Sequence, residues 1–102
     1  MIPSPTIFII DDNESIHEVV KSYLKNSSEI QATVVSCFSA LEFLENHQPP
    51  QHGCLLLDNF MPGMTGVELH EQLRLRKCFI PIIMMTSHGT VPLAINEHGS
   101  TA

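Results

Sequence analysis

The 102-residue sequence predicts a single α/β domain built on a doubly wound parallel sheet. Three observations predict it. Four short apolar runs, near residues 6–10, 32–37, 54–58 and 82–86, have the length and the β-branched content of buried strands. Stretches with apolar residues at helical spacing separate them, giving the alternation strand, helix, strand, helix. Two of the strands stop abruptly on carboxylates, Asp11-Asp12 and Asp58, and the C-terminal edge of such a sheet is where ligands bind.

Each element has its own local reasons. Thr6-Ile7-Phe8-Ile9-Ile10 is the first buried strand. Asn13 is placed to cap the next helix, with Glu14 in its positive first turn. Ile16, Val19, Val20, Tyr23 and Leu24 recur at helical spacing over residues 14 to 26. Ala32 to Cys37 reads as the second strand. Ser39 and Glu42 then form a capping-box pattern before a short helix that carries Leu41 and Leu44 and ends near His47. The polar loop with Pro49, Pro50 and Gly53 leads into the third strand, Cys54 to Asp58.

Pro62-Gly63 suits a tight turn. A third helix beginning near Gly66 should turn Leu69 and Leu73 inward, with Arg74, Arg76 and Lys77 at its negative end. Pro81 opens the fourth strand, Ile82 to Thr86, where a missing N–H does least harm. Thr90 and Pro92 read as a helix start, with Val91, Ala94 and Ile95 facing the sheet, and the polar end from Asn96 should fray.

Composition narrows the function. At 43% hydrophobic residues the chain can bury a core. Its formal charge of -6, from eleven acidic against five basic residues, argues against direct nucleic-acid binding, which needs basic residues to neutralise phosphates. No stretch approaches the ~20 apolar residues of a membrane span, and the N-terminus lacks the pattern of a signal peptide. Cys37, Cys54 and Cys78 are odd in number and lack metal spacing, so free thiols in a reducing cytoplasm are expected. His17, His47, His52, His70, His88 and His98 are scattered, and surface or packing roles are expected for them.

The chemistry gathers at the acids. The first strand lies centrally in a doubly wound sheet, so Asp11, Asp12 and Asp58 can meet at one edge. Three carboxylates there would repel one another unless a cation shares the site. Hard oxygen ligands favour Mg²⁺. A carboxylate can also attack a phosphoryl group to give an aspartyl phosphate. The plainer alternative is that Asp11 and Asp12 only cap a helix and Asp58 only starts a turn. Thr86, a hydroxyl at the end of the fourth strand, weighs against it.

At this point the chain resembles the receiver domain of bacterial two-component response regulators. Ile9-Ile10-Asp11-Asp12-Asn13-Glu14 matches the family's acidic pair, and Leu57-Asp58 with Met61-Pro62-Gly63-Met64-Thr65-Gly66 matches its phosphoacceptor and following loop. Met85 to Ala94 resembles the subgroup often fused to a helix-turn-helix output domain. The match runs from residue 6 to about residue 95 in order and spacing.

The resemblance implies a flavodoxin-like fold with strand order 2-1-3-4. It implies that Asp58 accepts a phosphoryl group from a sensor histidine kinase. Asp11, Asp12, Asp58 and the main-chain carbonyl of Phe60 would bind Mg²⁺. Thr86 would act as the switch hydroxyl for the region Thr86 to His98. Self-phosphorylation and self-dephosphorylation would be its only chemistry, and a metal-dependent hydrolase is disfavoured because no second Asp lies two residues after Asp58. The family's fifth strand, with its lysine, and its fifth helix have no counterpart before Ala102, so an incomplete receiver over residues 1–102 is expected. That leaves two further expectations. Strand four is an exposed edge through which a homodimer would form. Without the lysine, the alternative function is a non-phosphorylated interaction or oligomerisation module.

Overall fold

β-branched and aromatic residues form the first strand, β1 (Thr6–Ile10), an interior strand of the sheet. The computed structural model describes residues 4–49 and 52–85, with the backbone of 93–94. The remaining elements are α1 (Glu14–Asn26), β2 (Thr33–Cys37), α2 (Ala40–Asn46), β3 (Gly53–Asp58), α3 (Gly66–Leu75), β4 (Ile82–Met85) and β5 (Leu93–Ala94). The strands lie in the order β2-β1-β3-β4-β5. The first four are parallel neighbours in the expected order, 2-1-3-4.

The caps explain where the helices start. Asn13 caps α1 by accepting the Ser15 N–H at 2.9 Å. Ser39 caps α2 by accepting the Glu42 N–H at 3.0 Å. The expected reciprocal bond is displaced by one residue, because the Glu42 carboxylate takes the N–H of Phe38 instead of that of Ser39. The full capping box stands at α3, where Thr65 and Glu68 exchange both bonds, at 2.9 and 3.1 Å. That pattern was readable in the sequence as Thr-x-x-Glu.

Alternation along the strands divides the core into two faces. Phe8, Ile10, Leu55, Leu57, Ile82 and Met84 face Ala40 and Phe43 of α2 and Leu69 and Leu73 of α3. Phe8 and Phe43 meet edge to face, with centroids 5.0 Å apart. On the other face Ile7, Cys54, Leu56 and Ile83 line an apolar cleft with Val20 and Leu24 of α1.

Two expectations about the end of the sheet are corrected. A helix was expected from Thr90 through Ile95, but Leu93–Ala94 is a strand, antiparallel to β4. Strand four was expected to be a bare edge for a second chain. Ile83 pairs with Ala94 and Met84 with Leu93, so the chain itself returns along that edge. The physical reason is the one that made the edge a liability: unpaired strand N–H and C=O groups are satisfied by the nearest available backbone. The strand-pairing route to a homodimer loses its premise, and a fifth strand exists, although short and antiparallel. Thr86 and the rest of the expected switch region apart from Leu93–Ala94 lie outside the described residues, as do His88 and His98.

Candidate metal and phosphoryl site

The register brings the acids together. Ile10 pairs with Leu57 in parallel register, so the next residue on each strand, Asp11 and Asp58, emerges at the same edge. Both are 2% exposed, whereas Asp12 is exposed to solvent. One carboxylate oxygen from each of Asp11, Asp12 and Asp58 lies within 4.8 Å of the other two. Among the described residues the ion pair present is Arg74 with Glu71, on the surface of α3, so the three acids have no cationic side-chain partner there.

Backbone amides hold the two buried carboxylates. The N–H of Asn13 donates to Asp11 Oδ1 at 2.8 Å, and the N–H of Phe60 donates to Asp58 Oδ1 at 3.1 Å. Each is a two-residue Asx arrangement that leaves the second oxygen of the carboxylate for a ligand. Burial pushes the Asp11 carboxyl above the ordinary carboxylate value of 3.8. The Asn13 N–H and, more weakly, His17 oppose that, while the charges of Asp58 and Asp12 add to it.

The backbone around the acids is pinned as well. The Asp11 N–H donates to the Cys37 carbonyl at 3.1 Å, and the Asn59 N–H donates to the Met85 carbonyl at 3.1 Å. Asn59 then ties the site to α3, because its Oδ1 accepts the Val67 N–H at 3.1 Å and its carbonyl accepts the Gly66 N–H at 3.3 Å. Gly63 adopts φ 82 in the loop between them, the left-handed turn conformation expected of Pro62-Gly63.

Of the predicted site residues, Asp11, Asp12 and Asp58 converge, Phe60 lies beside Asp58, and Thr86 is outside the described residues. Two residues escaped the sequence reading. Asn59 follows a strand and gave no pattern of its own. His17 was read as a surface or packing residue and is indeed packed, at 2% exposed, but the sequence did not show that its Nε2 lies 2.7 Å from the Asp11 carbonyl oxygen. A signal existed: His17 sits with Val20 and Leu24 at the i, i+3, i+7 spacing of the inward face of α1.

The donor set fits a hard divalent cation. Three carboxylates within one small volume, two of them buried, form an all-oxygen cluster of the type that Mg²⁺ takes, and clustered negative charge is relieved by a cation.

Comparison with known proteins agrees with this geometry. The family model for the response regulator receiver domain matches residues 7–99. The chain is 36% identical over 95 residues to the transcriptional regulatory protein FixJ of Azorhizobium caulinodans, covering 93% of this chain and 44% of that protein. It is 34% identical over 90 residues to the response regulator protein TodT of Pseudomonas putida, covering 87% and 38%. It thus spans less than half the length of these curated relatives. Among solved structures, the response regulator StyR superposes with a TM-score of 0.75 at 41% identity, covering 91% of this chain and 46% of that one. The crystal structure of FixJ-N superposes with a TM-score of 0.67 at 33% identity, covering 89% and 70%. With fold, acidic edge and family model in agreement, this chain belongs to the response regulator receiver domains of two-component systems.

Proposed function

We propose that this chain receives a phosphoryl group on Asp58 from a phosphohistidine of a sensor histidine kinase. The observation that carries this reading is the convergence of Asp11, Asp12 and Asp58 at the C-terminal edge of β1 and β3. Family membership supports it, since response regulator receivers work with sensor histidine kinases. In the transfer, a carboxylate oxygen of Asp58 forms a bond to phosphorus as the phosphorus–nitrogen bond to the kinase imidazole breaks. The bonding pair leaves with the imidazole. The Phe60 N–H on Asp58 Oδ1 orients the carboxylate, leaving its second oxygen as the nucleophile.

Asp11, Asp12, Asp58 and the main-chain carbonyl of Phe60 would hold Mg²⁺. Bound there, the ion would offset the negative charge of carboxylates and phosphoryl oxygens, which otherwise repel. Thr86 is assigned the switch role, biasing the segment from Thr86 to His98 when the charge at Asp58 changes. The chain's own chemistry would be self-phosphorylation and self-dephosphorylation. The free thiols Cys37, Cys54 and Cys78 suit a reducing cytoplasm, and no helix among the described residues is long and apolar enough to cross a membrane.

The test is beryllofluoride with millimolar Mg²⁺, followed by amide NMR. Shifts at Asn59, Phe60 and Thr86 that vanish in Asp58→Ala are expected. An unchanged spectrum would defeat the reading and favour an interaction module that works without phosphorylation.

A further inference from the structure

We infer that His17 is a positioning residue for the cation site, acting by holding the Asp11 carbonyl so that the Asp11 carboxylate faces its two partners. The inference rests on the Mg²⁺ reading above and adds a residue to it.

A main-chain carbonyl can only accept, so at 2.7 Å it is His17 Nε2 that carries the hydrogen and donates. The bond spans six residues, from the inward face of α1 back across its own N-terminus to the end of β1. The ring packs on Phe38 with centroids 4.4 Å apart and planes tilted by 33°. Its Nδ1 is buried and has no hydrogen-bond partner among the described residues. The imidazole is therefore oriented by one polar bond and one ring contact. The polar bond is spent on the backbone of a proposed ligand.

Asp11 is held from three directions. Its N–H donates to the Cys37 carbonyl of β2, its carbonyl accepts from His17 of α1, and its Oδ1 accepts from Asn13 in the connecting loop. These bonds fix both peptide groups that flank its Cα as well as the carboxylate. Removing the His17 donor leaves a buried carbonyl without a partner, and the peptide relieves this by rotating toward water. The carboxylate is attached to the same Cα and moves with it. A cation site depends on ligand oxygens staying within a few tenths of an ångström of their places, so groups behind the ligands control affinity.

The side chain needed is one that places an N–H at the position of Nε2. Glutamine extends its amide nitrogen to about that distance. Asparagine is too short, and leucine has the bulk without the donor. A role limited to packing would lower the stability of the variants without changing the cation affinity of their folded fraction. A positioning role lowers that affinity selectively and is rescued by glutamine.

The experiment is an Mg²⁺ titration of the full chain, followed through the Asn13 and Asn59 amide signals, beside urea unfolding in Mg²⁺-free buffer. About a tenfold weaker Mg²⁺ affinity is expected for His17→Leu and His17→Asn, with His17→Gln within about twofold of wild type, the low end of what orienting partners of metal ligands contribute. Should the leucine variant not fold, the asparagine and glutamine pair carries the comparison. Independently, the ¹⁵N imidazole spectrum of wild type is expected to show the Nε2–H tautomer. Equal affinity in all folded variants, or an Nδ1–H tautomer, overturns the inference and leaves the cation site standing. A wild-type chain that does not bind Mg²⁺ overturns the site and this inference together.

Discussion

Asp11 and Asp58 stand side by side, each one residue beyond the paired positions Ile10 and Leu57 on neighbouring parallel strands, and both are buried. Two adjacent strands that end in the same register deliver two carboxylates to one place, with Asp12 beside them. At Asp11 the arrangement costs the fold stability, because burial and the charges of Asp58 and Asp12 oppose ionisation of its carboxyl.

Neutralising one acid should therefore stabilise the chain. Native Asp11 holds its proton more tightly than an unfolded Asp does, since its carboxyl lies above the ordinary 3.8. Its contribution favours the fold below that value and is lost as pH rises through the raised native value. Asp11→Asn keeps an oxygen to accept the Asn13 N–H while removing the charge. In Mg²⁺-free buffer at pH 7 the variant should be more stable to urea by roughly 1 kcal/mol, the ordinary scale of a single-site effect. The advantage should shrink toward pH 4. A loss of stability at pH 7 would mean that the cluster is not strained by its charge.

Cation binding should show the complementary effect. A ligand that binds only the native state adds about 2.7 kcal/mol at a hundredfold excess over its Kd. Mg²⁺ should accordingly raise the urea midpoint of wild type in a concentration-dependent way. The same salt should give Asp11→Asn and Asp58→Asn little beyond the effect of ionic strength, with Na₂SO₄ of equal ionic strength as the control. An equal response in all three chains would place the cation elsewhere.

Gly66 links α3 to the site through shape. A Cβ at this position would lie 2.8 Å from the Asp58 carbonyl oxygen and 2.8 Å from Met84 Sδ. The sulfur can move, but the strand backbone carrying Asp58 is fixed by its pairing to β4. Gly66→Ala should cost about 1–3 kcal/mol, as overpacking does. It should also shift the Asn59 and Phe60 amide signals, because relief comes from moving helix and strand apart. Urea unfolding and an amide spectrum check both. Wild-type stability would show that α3 yields freely.

Strands and helices were legible because each carried a local pattern. Thr6–Ile10 and Glu14–Asn26 fall where apolar runs, helical spacing and the Asn13 cap place them. The acidic convergence was legible too, since parallel strands of similar length end together. What was not legible depends on the third dimension. The fate of the β4 edge turned on Leu93–Ala94, two residues with no strand pattern of their own that pair because β4 offers unpaired groups. His17 was indistinguishable by type from the other histidines. Its place on the inward face, six residues from a backbone carbonyl that needed a donor, gave it a use. Asn59 likewise works through the N–H groups of Val67 and Gly66, whose proximity only the fold creates.

Cys37 supplies a test of the β2 end of the site, where its carbonyl holds the Asp11 N–H. Its side chain is fully buried beneath α2, and burial first, then the nearby Glu42 charge, pushes the thiol up to about 11 from an ordinary 9.0. The thiolate is the reactive form, so native Cys37 should resist iodoacetamide at pH 8.5 while the urea-unfolded chain is labelled there. The linkage has a definite sign. Native Cys37 keeps its proton more tightly than unfolded Cys37, so its contribution is complete below pH 9 and is lost as pH rises to about 11. Across that window wild type should lose up to roughly 2 kcal/mol more stability than Cys37→Ala, whose cavity cost does not vary with pH. Mass spectrometry of the alkylated peptide and urea unfolding at pH 8.5 and 10.5 read the two effects. Rapid native labelling at Cys37 would mean that the end of β2 opens readily, and the Asp11 backbone would then lose one of its anchors.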